Sequence, residues 1–336
     1  MNVDRHLLGL RGMPTDRLRA LLASADRLAD SAGAADSALA GRTVATLFFE
    51  DSTRTRMSFS LAATRLGAHV VDLSASSSSV AKGESLIDTA KTVEAMGVDA
   101  FVVRTGQSGG PSVIAGAVSG PVLNAGDGQH EHPTQGLLDT LAIARAHGRA
   151  DGFDLSGLTV AIVGDCAHSR VARSDAWAMT ALGARVILCG PPRMAPAALG
   201  RALGCEVITD LDDVISEVDA VQMLRVQFER GARVASPRQY RAGYALTTER
   251  AVRMKAGAVV MHPGPMNRGI ELDGPVADSD GSGELPESLV LEQVRLGIAV
   301  RMAALTELFA ATLAVRMDRP AHAASGAAGV GPGVRV

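Results

Sequence analysis

Residues 43–73, TVATLFFEDSTRTRMSFSLAATRLGAHVVDL, decide the fold class. The run Thr43–Phe49 is rich in β-branched and aromatic residues, as a buried strand requires, and it stops at Glu50-Asp51-Ser52. A helical spacing follows, with Met57, Phe59, Leu61, Ala62 and Leu66 at apolar positions and Ser52 or Thr53 placed to cap the helix. A second β-forming run, residues 68–73, closes the stretch. Arg54 and Arg56 fall in or near the first helical turn. There the positive end of the helix dipole disfavours cations, and backbone N–H groups point outward without partners.

The strand–helix rhythm continues. Strand-like runs at 99–103 and 121–123 complete the first half. LTVAIVG from Leu158, ARVILCG from Ala184, CEVI from Cys205, VDAVQML from Val218 and GAVVM from Gly257 supply the second. Leu18, Leu21, Leu22, Ala25 and Leu28 mark one face of an early helix beginning near Pro14. Short buried strands alternating with helices imply an α/β protein with two doubly wound parallel-sheet domains. The expected units are residues 1–149 and 150–286, joined near Arg149-Ala150-Asp151-Gly152. A final helix, residues 287–317, carries Leu291, Val294, Ile298, Met302, Leu305, Phe309 and Leu313 at steps of three or four. That stripe must pack on something large, and the helix is expected to return to the first domain. The Ala-, Gly- and Pro-rich tail, 319–336, reads as disordered.

A chain of 336 residues with 47% hydrophobic residues has room for two ordinary domains. Its 33 basic and 36 acidic side chains leave a formal charge of −3, so nothing suggests a general attraction to nucleic acid or to an acidic membrane. Any anion site must be local. Cys166, Cys189 and Cys205 are odd in number and form no C-x-x-C pair, which fits a reduced, cytoplasmic setting. The opening MNVDRHLLGLRGMP is too charged for a signal peptide, and no apolar run approaches the ~20 residues of a membrane span.

The turn at 50–56 has the chemistry of a phosphate cradle. Backbone N–H groups at the helix start are joined by the hydroxyls of Ser52, Thr53 and Thr55 and by the charged fork of Arg54. The plainer alternative is that Arg54 or Arg56 pairs with Glu50, Asp51 or Glu84; for Arg56 both readings stand. No G-x-x-x-x-G-K-[ST] loop is present, and VAIVGDCAHSRVARS offers only Gly164 where a dinucleotide site needs three glycines. In NAGDGQHEHPTQGLLD, residues 124–139, Pro133 suits a first helical position and puts His132 and Gln135 at a helix N-terminus. A histidine there tends to stay neutral and can donate one hydrogen bond to a carbonyl. His130-Glu131-His132 lacks the spacing and cysteines of a metal site, so no metal and no cofactor are expected. Arg170 and Arg225, the latter followed by Gln227, end elements at the carboxyl edge of the second sheet, where two guanidinium groups suit a dicarboxylate. In His262-Pro263-Gly264-Pro265-Met266-Asn267-Arg268 the prolines fix backbone carbonyls able to grip an amine or amide. Taken alone, the serine run before Lys82 reads as a linker.

Together FEDSTRTRMSFSLAATRLGA, SSSVAKGES, VVRT, HPTQGLLD, GDCAHSRVARS, LRVQFER and HPGPMNRG resemble the transcarbamylase family, in order from residue 49 to 269. LRVQ and HPGP are similar to its aspartate carbamoyltransferase branch. The ornithine branch would carry an HCLP loop and an SMG-type loop, and neither is here. The resemblance implies transfer of a carbamoyl group from carbamoyl phosphate to L-aspartate, a step of pyrimidine synthesis, without metal or cofactor. It implies that Ser52, Thr53, Arg54 and Thr55 hold the phosphate and carbonyl, with Arg104 on both groups. His132 is implied on the carbonyl oxygen and Gln135 on the carbamoyl amide. Arg170, Arg225 and Gln227 are implied for the aspartate carboxylates, and Gly264 and Pro265, across a cis bond, for backbone carbonyl contacts. Ser78 and Lys82 are implied to reach a neighbouring subunit's site in a homotrimer. Regulatory chains or a dihydroorotase remain open as partners, as does a catalytically silent scaffold role.

Overall fold

A computed structural model describes residues 5–30, 37–74, 84–226 and 236–317. In the first half the elements run α1 (Thr15–Asp30), β1 (Thr43–Phe48), α2 (Thr53–Arg65), β2 (His69–Ser74), α3 (Leu86–Ala95), β3 (Ala100–Thr105), α4 (Gly110–Ala115), β4 (Val122–Asp127) and α5 (Pro133–Ala146). The second half runs β5 (Thr159–Val163), α6 (Arg170–Ala181), β6 (Arg185–Cys189), α7 (Ala197–Leu203), β7 (Glu206–Ile208) and β8 (Ala220–Met223). It continues through α8 (Pro237–Tyr244), α9 (Thr248–Ala251), β9 (Val259–Met261), α10 (Gly274–Ala277), β10 (Glu287–Ser288) and α11 (Val290–Met317).

Two sheets result, with strand orders β2-β1-β3-β4 and β10-β9-β8-β5-β6-β7. Every pairing between these strands is parallel. Parallel strands need crossover helices, which cover both faces, and the central strands are accordingly apolar throughout. Five of the six residues of β1 and all six of β3 and β4 are buried. All the first turns after strands β1, β4, β5, β8 and β9 therefore open at carboxyl edges, the side on which open α/β sheets bind ligands.

The final helix packs on α1, α2 and α5, so it returns to the first sheet's helices. Two details differ from expectation. Glu287 and Ser288 pair with Val259 and Val260, so the helix begins at Val290 instead of 287. Leu291 and Val294 face solvent, at 82% and 58% exposure, whereas Met302, Leu305 and Phe309 of the expected stripe are buried together with Leu296, Val300, Ala303 and Ala304. The helix is apolar around most of its circumference, so spacing alone could not select the face that meets α1, α2 and α5. The expected tail lies outside the described residues. Among the described residues no helix is long and apolar enough to cross a membrane.

Candidate active site

The turn after β1 delivers its groups to solvent at the sheet edge. Ser52 is the N-cap of α2, with an extended φ of −161°. Its carbonyl accepts the Arg56 N–H, but its hydroxyl makes no capping bond, so the hydroxyl and the first helical N–H groups remain for a ligand. Thr53 and Arg54 are exposed and Thr55 is half-buried. Two residues along, Arg56 turns the other way and pairs with Asp72 of β2 at 3.2 Å. Arg56 thus takes a carboxylate partner, but Asp72 rather than the expected Glu50, Asp51 or Glu84, and Asp72 also accepts from the Thr46 hydroxyl.

Arg54 reaches across to the loop after β9. A side chain at Gly264 would put its Cβ 2.0 Å from Arg54 Nη1, so the approach depends on glycine, which also permits the φ of +63° found there. The Gly264–Pro265 bond is cis. The Arg54 pKa is lowered by partial burial and then by the nearby positive charge of Arg225. Two guanidinium groups held close enough to repel each other make a site that favours an anion. No carboxylate among the described residues pairs with Arg54.

Arg104 and Arg170 are treated differently, because Glu50 holds both. Arg104 Nη2 donates to Glu50 Oε1 at 3.1 Å, and Arg170 Nη1 and Nη2 donate to its two oxygens at 3.2 and 2.7 Å. Arg104 Nη1 also donates to the Ala125 carbonyl at 3.0 Å. Both guanidinium groups lie over Gly126, whose φ of +113° and missing Cβ admit them. Glu50 therefore ties the first sheet, through Arg104, to the first residue of α6 on the second.

His132 is the N-cap of α5 and is 4% exposed. Its pKa is lowered well below 6.5 by burial first, then by Arg104, Arg301 and Arg170, so the ring is neutral. Neutrality was expected from the helix end; burial and three cations give it a stronger cause. Its Nδ1 has no hydrogen-bond partner among the described residues. The backbone at this N-cap is anchored from behind: the His132 main-chain N–H donates to Ser174 Oγ at 2.9 Å, and that hydroxyl donates to buried Glu131 at 3.0 Å. Gln135, also buried, donates its amide to Asp139 Oδ1 at 2.9 Å.

Behind the loop after β9, fully buried Glu271 faces His262 Nε2 at 3.2 Å and accepts from Asn267, whose amide also donates to the Val226 carbonyl at 3.0 Å. This ties the loop bearing Gly264 and Pro265 to the segment bearing half-buried Arg225. Ser52–Thr55, Arg104, His132, Gln135, Arg170, Arg225 and Gly264 thus line facing edges of the two sheets. Gln227, Ser78 and Lys82 lie outside the described residues. Sequence reasoning named Glu50 only as a partner for Arg54 or Arg56 and Glu131 only within a rejected metal triad, and missed Asp139 and Glu271. Asp139 carried one usable signal, a lone acid within the apolar run GLLDTLAIA.

Comparison with known proteins identifies the two halves separately. Residues 5–145 match the family model described as aspartate/ornithine carbamoyltransferase, carbamoyl-P binding domain, and residues 156–308 the corresponding Asp/Orn binding domain. An aspartate carbamoyltransferase catalytic subunit of Gluconacetobacter diazotrophicus is 53% identical, over 90% of this chain and 92% of that one. The one from Gluconobacter oxydans is 49% identical, over 91% and 96%. Among solved structures, aspartate transcarbamoylase from Trypanosoma cruzi with aspartate and phosphate superposes with a TM-score of 0.75 at 30% identity, covering 90% of this chain and 94% of that one. Ornithine carbamoyltransferase from Thermus thermophilus gives 0.77 at 25% identity, covering 90% and 98%. The chain therefore belongs to the aspartate/ornithine carbamoyltransferase family.

Proposed function

We propose that this chain is an aspartate carbamoyltransferase, converting carbamoyl phosphate and L-aspartate into N-carbamoyl-L-aspartate and phosphate for pyrimidine synthesis. Residues 1–149 with the last helix take carbamoyl phosphate, and 150–286 take aspartate. The observation that carries the reading is Arg54: it has no carboxylate partner among the described residues and lies against Gly264 and close to Arg225, where a phosphate on the first domain would meet an acceptor on the second. The close relatives bear the same name.

Carbamoyl phosphate is already activated, so the task is alignment and charge stabilisation. The N–H groups and hydroxyls of Ser52–Thr55 and the Arg54 guanidinium hold the phosphate. Thr55, Arg104 and neutral His132 donate to the carbonyl oxygen as it becomes an oxyanion, each well-placed donor contributing roughly 3 kcal/mol. Orientation of two bound reactants contributes more. Gln135 accepts from the carbamoyl amide, Arg170, Arg225 and Gln227 hold the aspartate carboxylates, and the Gly264 and Pro265 carbonyls steady the reacting amine and amide. The amine nitrogen bonds to the carbonyl carbon, the carbon–oxygen bond to phosphate breaks, and the departing phosphate takes the amine proton. Incubation with carbamoyl phosphate and either aspartate or ornithine, with the product identified by mass, tests the assignment; citrulline in place of carbamoylaspartate overturns it.

The active protein is a cytoplasmic homotrimer whose sites are shared, with Ser78 and Lys82 of one chain entering a neighbour's site. Its three cysteines are unpaired thiols, in keeping with a reducing compartment. Mixing inactive Lys82→Ala and inactive His132→Ala chains, then dissociating and reassembling them, should restore activity, because some mixed sites combine an intact His132 with an intact Lys82. Confirmed mixed trimers as inactive as their parents refute the shared site.

A further inference from the structure

Beneath the site, three amides converge on one carboxylate. Asp139 is fully buried; its Oδ1 accepts from Gln135 Nε2 at 2.9 Å and Gln293 Nε2 at 2.6 Å, and its Oδ2 from Gln222 Nε2 at 3.0 Å. These donors come from α5, α11 and β8, so elements of both sheets meet there. An ionised carboxylate only accepts, so each amide must turn its NH2 inward. Gln222 does so although its own oxygen is left buried without a partner among the described residues. Asp139 therefore dictates the orientation of these amides.

Gln135 is the only one of the three that the proposed mechanism places against substrate. We propose that Asp139 is a positioning residue for substrate choice: by taking the Gln135 NH2 it presents the Gln135 carbonyl oxygen to the site, selecting an acyl phosphate that bears an N–H donor over one bearing a methyl group. This inference rests on the reading that Gln135 meets the carbamoyl amide. A polar site built for a donor discriminates strongly against an analogue that lacks it, because its acceptor is then left unpaired.

The surrounding charges keep Asp139 an acceptor. Arg301 of α11 is the buried cation facing it, and Asp175 of α6 is the neighbouring acid. Burial pushes Asp139 up to about 6 and Asp175 well above its ordinary value, the latter raised further by the Asp139 charge. Asp175 is thus the member of the pair that keeps its proton.

The test compares carbamoyl phosphate with acetyl phosphate, its methyl analogue, as acyl donors to aspartate, read as the ratio of kcat/KM values. Gln135→Ala should lower the ratio about tenfold or more. Asp139→Asn should lower it comparably, since an asparagine amide facing Gln135 can turn it over. Gln222→Met removes a different donor from Asp139, and its oxygen has no other partner among the described residues, so the ratio should stay near the wild-type value, whatever happens to melting temperature. An unchanged ratio in Gln135→Ala sinks the reading of Gln135, and this inference with it. A lowered ratio in Gln135→Ala with an unchanged one in Asp139→Asn overturns only the role of Asp139. Should Asp139→Asn fail to fold, Gln135→Glu serves: its carboxyl must be protonated to donate to Asp139 while presenting a carbonyl. Its preference for carbamoyl phosphate should fall as the pH rises above about 6, where Asp139 is ionised and repels a second carboxylate, and a preference flat over that range overturns the proposal.

Discussion

Two helix starts in the same domain handle charge in opposite ways. The turn between β1 and α2 leaves Thr53 and Arg54 exposed, spends no side chain on capping, and pairs Arg54 with no carboxylate among the described residues. The first turns of α5, after β4, are sealed: every residue from Pro133 to Ala144 is buried, and Asp139 accepts three hydrogen bonds. A cation left open at a helix N-terminus repels its surroundings until an anion arrives, which suits a phosphate that must bind and leave. Recognition of an uncharged amide gains little from net charge and much from an orientation fixed beforehand, which burial supplies. If the proposed roles hold, the contrast teaches that one site is left unfinished where its ligand brings charge and complete where its ligand brings only shape and hydrogen bonds.

The largest effect should come from the open end. Arg54→Ala is expected to reduce turnover by about a hundredfold or more, since the lost contact stabilises charge that grows on the leaving phosphate. Its melting temperature should stay within about 2 °C of wild type, as for an exposed residue with no ion-pair partner among the described residues. A protein that melts far lower yet keeps its turnover would make Arg54 a structural residue and erase the contrast.

The sealed end should respond through stability and pH. The folded-state pKa of Asp175 lies above its unfolded value of 3.8, so the folded chain binds this proton more tightly. The stabilising share is complete below the unfolded value and is lost as pH rises toward the folded one. Asp175→Asn keeps a donor beside Asp139 and has no proton to lose. Its melting temperature should exceed that of wild type by a few degrees at alkaline pH, with the gap closing toward acid pH. A gap independent of pH, followed by thermal melts across that range, would show that Asp175 is not held protonated.

The smallest effect sharpens the comparison within a single turn. Arg56 and Asp72 are both partly exposed, and such a pair contributes only ~0–1 kcal/mol, so Arg56→Ala should lower stability slightly and leave turnover intact. Denaturant melts at low and high salt check this, because screening should remove most of the difference. A loss of turnover approaching that of Arg54→Ala would mean that both arginines serve the phosphate.

Nine strands and the turn between β1 and α2 were legible in the residue order, because β-branched runs, polar turns and caps act over a few residues. The seven family-like segments were legible for the same reason. The two-residue strand β10 was not, since only its pairing with β9 defines it. The sequence favoured an anion for Arg54 and left Arg56 open until the folded helix put Asp72 beside Arg56, with Gly264 beside Arg54. Glu50 acquired its role only when Arg170, 120 residues away, joined Arg104 on its carboxylate. Asp139 stood out merely as an acid in an apolar helix; Gln222 and Gln293, which surround it, lie 83 and 154 residues further along. Local patterns determine which elements form and which residues carry reactive groups. Pairing between distant charges and amides depends on how two sheets and a returning helix pack, a long-range outcome that no single stretch of sequence contains.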